Sequence, residues 1–381
     1  MVTGVGKRIS CTVLIIGLLV SLTLIASFTL ASPLMPLSRN IAFGTDLVIS
    51  PEDVPDNIRV HDPLPSENAI ALTWYRNHLD SDEKIALYDA MEAAILGRRE
   101  NVLVPDLSEE ETLECYWAVI YDHPEYFWVK KVYVFYKYGG ETVKEFGLQY
   151  HLEDKDEIEN KWRDYEIMAD AIIAGTPNPK KPRAVLKQIY EWIGHNTSYA
   201  DNDRDQDMSS VFDNHESVCA GYVQALQFVS LRAGIPCVRI FGHSIENGGE
   251  VGDGNHTWLA MAPNYTIGYY DVTWDDQSHP SSMNCYFDVS QDDIEKTHAF
   301  DSDIAPRNNS ERDDSAEMIK TAYKISTGEY LTMPETDEDG YWTYDEGLDT
   351  MIHHNFDTDH QSYLADRAII HGVRILQKDF W

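Results

Sequence analysis

The chain has 381 residues, 43% of them hydrophobic and 11% aromatic, which excludes a chain disordered throughout and is too long for one minimal domain. Its 64 Asp and Glu against 30 Lys and Arg give a formal net charge of −34. Such a surface repels phosphates and excludes nucleic acid as the partner; the simplest reading of it is solubility outside the cell.

Lys7 and Arg8 precede an uncharged run from Cys11 to Leu30, in which Leu14, Ile15, Ile16, Leu18, Leu19 and Val20 are consecutive or nearly so. Thr29 and Ala31 then place small residues before Ser32. This is the layout of a secretory signal, and the run is also about long enough to cross a bilayer. Residues 1–31 are therefore read as a signal peptide or a membrane anchor, and the rest of the chain as secreted or held at the outer face of a membrane. Residues 32–66, punctuated by Pro33, Pro36, Pro51, Pro55, Pro63 and Pro65, read as a linker. Residues 67–176 read as a mostly helical module. One helix starts at Ser81-Asp82-Glu83 and ends at Gly97; a second follows the capping-box pattern Ser108-Glu109-Glu110-Glu111. Val129 to Tyr138 alternates like a strand, with Gly139-Gly140 as its turn, and Asp156 to Ile173 is helical again.

A second boundary falls at Pro177 to Pro182 and opens the unit 177–300. Here a helix with Val185, Ile189, Trp192 and Ile193 leads to an acidic loop, Asp201 to Asn214. From Cys219 to Ala233, Tyr222, Ala225, Leu226 and Val229 share one helical face, and Gly234 and Pro236 stop the helix. Cys237 to Phe241, His256 to Ala262 and Ile267 to Thr273 read as strands. A helix followed by antiparallel strands makes this an α+β unit. Residues 301–381 read as a β-containing extension, with strands at Gly340 to Tyr344 and Ala368 to Leu376.

The chemistry gathers in the 177–300 unit. A cysteine attacks as thiolate, and both a helix N-terminus and a neighbouring imidazolium stabilise that form. Cys219 opens a predicted helix, and Ala220 and Gly221 leave little bulk beside the sulfur. Its backbone N–H is placed to stabilise an oxyanion. His256 and Asp271 lie at similar distances from the turn Ala262-Pro263-Asn264-Tyr265. If the flanking runs form a hairpin, they are cross-strand neighbours to within a residue or two. That would supply nucleophile, base and orienting acid. Singly, each has a plainer reading: a buried structural Cys, a strand His, an edge carboxylate.

Four segments together, Ser217-Val218-Cys219-Ala220-Gly221-Tyr222, Ala233-Gly234-Ile235-Pro236, Asn255-His256-Thr257-Trp258 and Tyr270-Asp271-Val272-Thr273-Trp274-Asp275-Asp276, resemble the transglutaminase-like superfamily of papain-related cysteine enzymes, in its bacterial extracellular form. Upstream, Asp122-His123-Pro124-Glu125-Tyr126-Phe127-Trp128 is similar to segments that precede the core in such proteins. The resemblance spans about residues 70 to 300. It implies a papain-like fold and a catalytic triad of Cys219, His256 and Asp271. It further implies attack on an amide of a polypeptide to give an acyl-enzyme, resolved by water or by an amine. Ala220 and Leu259 depart from the family's usual residues. The other reading is an inactive transglutaminase-like module that binds surface proteins or cell wall.

No cofactor and no metal is expected. Asp201 to Asp207 alternates carboxylates, but Gln206 and Phe212 stand where a calcium loop needs Gly and Glu, so it reads as a solvated acidic loop. His353, His354, Asp357, Asp359 and His360 read as surface residues rather than metal ligands. Trp192 and Asn196 are guesses for a side-chain oxyanion donor. Cys115, Cys237 and Cys285 could supply one disulfide if Cys219 stays free.

Overall fold

The computed structural model describes residues 24–30, 68–138, 143–176, 181–245, 251–277, 284–332, 340–345 and 350–355. The expected linker, the Gly139-Gly140 turn, most of the Pro177 to Pro182 boundary and the Ala368 to Leu376 run lie outside these residues. So does most of the segment read as signal or anchor; its described part, β1 (Leu24–Leu30), is a strand. Among the described residues no helix is long and apolar enough to cross a membrane.

Between β2 (Ile70–Leu72) and the second boundary come α1 (Trp74–Asn77), α2 (Asp82–Leu96), β3 (Asn101–Leu103), α3 (Glu109–Asp122), β4 (Val129–Tyr138), β5 (Glu145–Tyr150) and α4 (Lys155–Ala174). The two helix starts read from sequence form as expected. Ser81 Oγ accepts from Lys84 N, and Ser108 and Glu111 exchange the two bonds of a capping box, at 3.2 and 2.8 Å. Each cap is worth about 1 kcal/mol. Beside these helices stands an antiparallel sheet in the order β1-β4-β5-β3; of its strands only β4 was legible in the sequence, because β3 is three residues long and β5 alternates weakly.

Next come α5 (Pro182–Asn196), β6 (Ser198–Tyr199), a π-helical turn (Ser210–Asn214), β7 (Glu216–Ser217), α6 (Cys219–Arg232), β8 (Cys237–Ile245), β9 (Val251–Met261), β10 (Gly268–Tyr270) and α7 (Val272–Gln277). After these lie α8 (Gln291–Ile294), β11 (His298–Phe300), α9 (Ser315–Lys320), β12 (Ala322–Lys324) and the hairpin β13 (Gly340–Asp345) and β14 (Thr350–Asn355). The second sheet is antiparallel in the order β10-β9-β8-β11. A helix carrying the cysteine packed on an antiparallel sheet is the α+β, papain-like arrangement expected. The residues after 300 return to the strand that opens the N-terminal module: β12 pairs with β2, Ala322 opposite Leu72.

Three local expectations change. The strand read to Thr273 stops at Tyr270, because the Asp271 carboxylate accepts from Thr273 N and Trp274 N at 3.0 and 3.1 Å and starts α7. His256 sits within β9 rather than opening it. The helix read as having one apolar face, α6, has every residue buried. Its long polar side chains survive burial by bonding to neighbouring elements, although Gln224 Oε1 and Ser230 Oγ are buried without a partner. Gln224 and Gln227 donate to the carbonyls of Pro124 and Tyr121, 2.7 and 2.9 Å away, at the end of α3. Arg232 forms a fork on Asp170 of α4 and reaches Glu166. Gly234, at φ +81°, closes the helix in the left-handed conformation expected.

Candidate active site

Cys219 is the first residue of α6, and no side chain caps that helix. Its first N–H groups and the positive end of its dipole therefore remain available at the sulfur. Gly221 serves a different purpose from the open approach read in the sequence. A Cβ there would fall 2.0 Å from Ser217 Oγ and 2.9 Å from the carbonyl oxygens of Asp205 and Asp207. The glycine lets the acidic loop pack directly against the first turn of α6.

The structure brings Cys219, His256 and Asp271 together. His256 Nε2 donates to Asp271 Oδ2 at 2.7 Å. Tyr270 pairs with Leu259, so Asp271 follows opposite Trp258 and reaches His256 diagonally, within the register expected. Nδ1 of His256 is left free of Asp271, and Cys219 is close enough to the ring to add to the rise in its pKa. Trp258 and Trp274 lie nearly parallel to the imidazole, with centroids 6.0 and 5.5 Å away, and restrict its rotation. Burial by itself would lower the His256 pKa; the Asp271 charge and hydrogen bond outweigh it and raise it to about 10. Burial likewise pushes Asp271 up, but His256 and then His298 hold it well below the usual carboxylate range. An imidazolium facing a thiol is the arrangement that stabilises a thiolate.

His298, on β11, escaped the sequence reading. It is fully buried, and its Nε2 lies 3.0 Å from Asp271 Oδ2. A lone His, 27 residues past Asp271 and outside every recognised motif, carries no signal that would have found it. Tyr199 is a second residue the reading missed. β6 pairs with β7 in parallel, placing Tyr199 opposite Ser217 and next to the nucleophile. Its ring stacks on Tyr222, and burial followed by the neighbouring Cys219 raises its phenol pKa. Of the two guessed oxyanion donors, Asn196 spends Nδ2 on the Trp192 carbonyl at 2.8 Å, and the Trp192 ring lies against Phe212. Neither is placed by these contacts as a donor to the substrate.

Behind the site lie two buried carboxylates. Asp275 takes the Tyr190 hydroxyl at 2.6 Å and the Tyr286 N–H, and Asp276 takes the Tyr222 hydroxyl. Burial raises Asp275 to about 6 and Asp276 to about 7. The acidic loop is not simply solvated: Asp207 is buried, held by Arg204 Nε at 3.0 Å and by Ser209 N at 2.9 Å. All four later cysteines are free; Cys115, Cys219 and Cys237 are buried and Cys285 is exposed, so the disulfide considered is not formed. Burial pushes the Cys115 thiol up to about 12 and Cys237 up as well. His353 and His354 lie on β14; Asp357, Asp359 and His360 are outside the described residues.

His256, Asp271 and His298 are the group of His and carboxylate side chains, among the described residues, whose donor atoms converge within 4.8 Å. Asp271 Oδ2 accepts directly from both imidazoles. At 2.7 and 3.0 Å these contacts join the three as a hydrogen-bonded set.

Residues 168–270 match the family model described as the transglutaminase-like superfamily. The match takes in Cys219 and His256 and stops one residue before Asp271. A solved structure described as "Crystal structure of a TGase" is 14% identical, with a TM-score of 0.26, over 38% of this chain and 43% of that one. This chain thus spans less than half of that protein's length. No curated protein matches. The match, the α+β core and the convergence of Cys219 and His256 identify residues 168–270 as a transglutaminase-like domain.

Proposed function

We propose that this chain is a cysteine-dependent acyl-transferring enzyme, a peptidase or transglutaminase-like acyltransferase, acting on polypeptide amides outside the cytoplasm. The observation that carries the reading is the buried His256–Asp271 hydrogen bond beside Cys219 at the uncapped start of α6. An inert binding module has no need of all three. The extracytoplasmic setting is proposed from the apolar run between Cys11 and Leu30 behind Lys7 and Arg8.

In the proposed reaction the Cys219 thiolate attacks the amide carbonyl, and the Cys219 N–H receives the developing oxyanion. As the C–N bond breaks, the His256 imidazolium protonates the leaving amine. The resulting thioester is attacked by water or a second amine, whose proton passes to His256, and Cys219 is released. Asp271 stays ionised and holds the imidazole in the tautomer that places a proton on Nε2.

The test is the pH dependence of alkylation at each cysteine of the full chain, read by peptide mass spectrometry, beside His256→Ala. Cys285 is the exposed control. Fast reaction of Cys219 well below the ordinary thiol value of about 8.5, lost with His256, supports the enzyme. Peptide amides offered with and without a fluorescent primary amine then separate hydrolysis from crosslinking. A Cys219 that titrates as an ordinary thiol in both proteins sinks the reading and leaves the binding module.

A further inference from the structure

His298 reaches the site by an unusual route. β9 and β11 are not neighbours; β8 lies between them, so their backbones run about 9–10 Å apart. Yet the rings of His256 and His298 are 5.4 Å apart. Gly242 of β8 makes this approach feasible. It pairs with His256 on one side and Phe300 on the other. A Cβ at Gly242 would lie 1.9 Å from the Ala299 carbonyl oxygen and 2.6 Å from the Trp258 ring. Without a side chain at this position, the two outer strands can lean their side chains over the middle one onto a single carboxylate.

The hydrogen-bond inventory of that carboxylate is complete. Asp271 Oδ1 accepts from Thr273 N and Trp274 N, and Oδ2 accepts from His256 and His298. An ionised carboxylate offers about four acceptor positions and no donor, so both Nε2 atoms carry the protons. Neutral His298 is then bare at Nδ1, and the Thr297 hydroxyl faces that nitrogen at 2.8 Å, closer than its 3.2 Å approach to the Ile294 carbonyl. Trp258 and Trp274 pack on the His298 ring at 4.7 and 4.5 Å.

We propose that His298 is a positioning residue for the thiol chemistry: as the second donor to Asp271 Oδ2, it holds that carboxylate in the orientation His256 requires. The assignment rests on the cysteine-enzyme reading above. Its hydrogen bond to the triad is to Asp271, and it acts through that carboxylate. It is neutral near pH 7, since burial lowers its pKa more than Asp271 restores it, so it donates a hydrogen bond without competing with His256 for the charge. The other titratable groups around Asp271 are Cys219 on α6, Asp275 on α7, Tyr190 on α5, Tyr199 on β6 and Tyr286 in the loop after α7. Apart from the two histidines, none donates a side-chain hydrogen bond to Asp271 among the described residues.

The test compares Cys219 alkylation against pH in the full wild-type chain, His298→Leu and His298→Gln. Imidazole 15N NMR of the unsubstituted chain assigns the tautomers. Expected in wild type is a His298 protonated at Nε2 and bare at Nδ1. In His298→Leu the acid limb of the Cys219 profile should move up by about one pH unit, roughly tenfold in rate at the old midpoint, because a carboxylate no longer held in place stabilises the His256 imidazolium, and through it the Cys219 thiolate, less well. His298→Gln, with an amide N–H able to reach the same oxygen, should keep the wild-type limb. A profile unchanged in His298→Leu, or an equal loss of rate in both variants with no shift along pH, overturns the proposal. Should His298→Leu fail to fold, the tautomer decides: a bare Nε2 overturns it. An ordinary thiol titration in wild type is a separate outcome. It ends the enzyme reading and with it the assigned role, whatever the tautomer.

Discussion

At the scale of single residues, the site works by placing charges where burial alone would remove them. His256 and Asp271 are each raised or lowered against their desolvation by the other, and the sign of the resulting stability follows. His256, raised to about 10, contributes stability that is complete below its unfolded value of about 6.5 and fades as pH rises through the folded value. Asp271, lowered, contributes above its unfolded value of about 3.9 and loses it only in stronger acid. The melting-temperature gap between wild type and Asp271→Asn should therefore be widest between about pH 4 and 6.5 and close toward pH 10; a gap that widens with rising pH contradicts the ion pair. At pH 7 the same substitution should slow acyl transfer by about 10³- to 10⁴-fold, because the imidazole loses its tautomer and partner. Asp276 works in the opposite sense. Its pKa is raised to about 7 and Oδ1 is buried without a partner, so folding becomes costlier as pH rises from about 4 to 7 and is level above that. Asp276→Asn should melt a few degrees above wild type at pH 8.5, the advantage vanishing by pH 4.5 in calorimetry.

At the scale of elements, α6 is the part on which the site depends, and its surroundings explain why it is buried on every side. The sheet β10-β9-β8-β11 lines one side of the helix, α4 and α5 pack against others, and the chain from Tyr121 to Trp128 closes over it. The His123-Pro124-Glu125 run noted in the sequence has a structural part here. His123 stacks on Tyr126 and pairs with Glu125 at 2.8 Å, while Pro124 presents its carbonyl to Gln224. Gly221→Ala is the sharpest probe of this packing. With no room between α6 and the loop at Asp205 to Ser217, the added methyl should cost at least about 1–3 kcal/mol in urea unfolding. It should also slow Cys219 alkylation by displacing the first turn. An Ala variant as stable and as reactive as wild type shows that the loop yields without consequence.

For the whole molecule, the described residues before and after the second boundary share one hydrophobic cluster, from Ile70 to Ala322. They are also joined by polar ties: Gln227 to α3, Gln224 to the Pro124 carbonyl just beyond it, and Arg232 to α4. Arg232→Met would leave the partly exposed Glu166 and Asp170 without their cation, and water reaching both carboxylates should hold the cost below the roughly 3–5 kcal/mol of a fully buried pair. Since the helix that carries Cys219 spans the junction, tryptophan fluorescence and protection of Cys219 from alkylation should be lost in one coincident urea transition, shifted together in Arg232→Met; two separated transitions would show that the parts unfold independently. The sequence by itself determined what local chemistry encodes: the caps at Ser81 and Ser108, the helix beginning at Cys219 and stopped at Gly234, the strand from Val129, and the hairpin spacing that pairs His256 with Asp271. Each depends on residues close along the chain, where backbone geometry leaves few choices. Only the tertiary structure decided the rest. His298 enters from a strand two positions across the sheet, Tyr199 from a two-residue strand beside β7, and α6 loses its solvent face to the preceding module. Those contacts join residues far apart in the chain, and neither periodicity nor capping records which distant side chain fills the space a glycine leaves open.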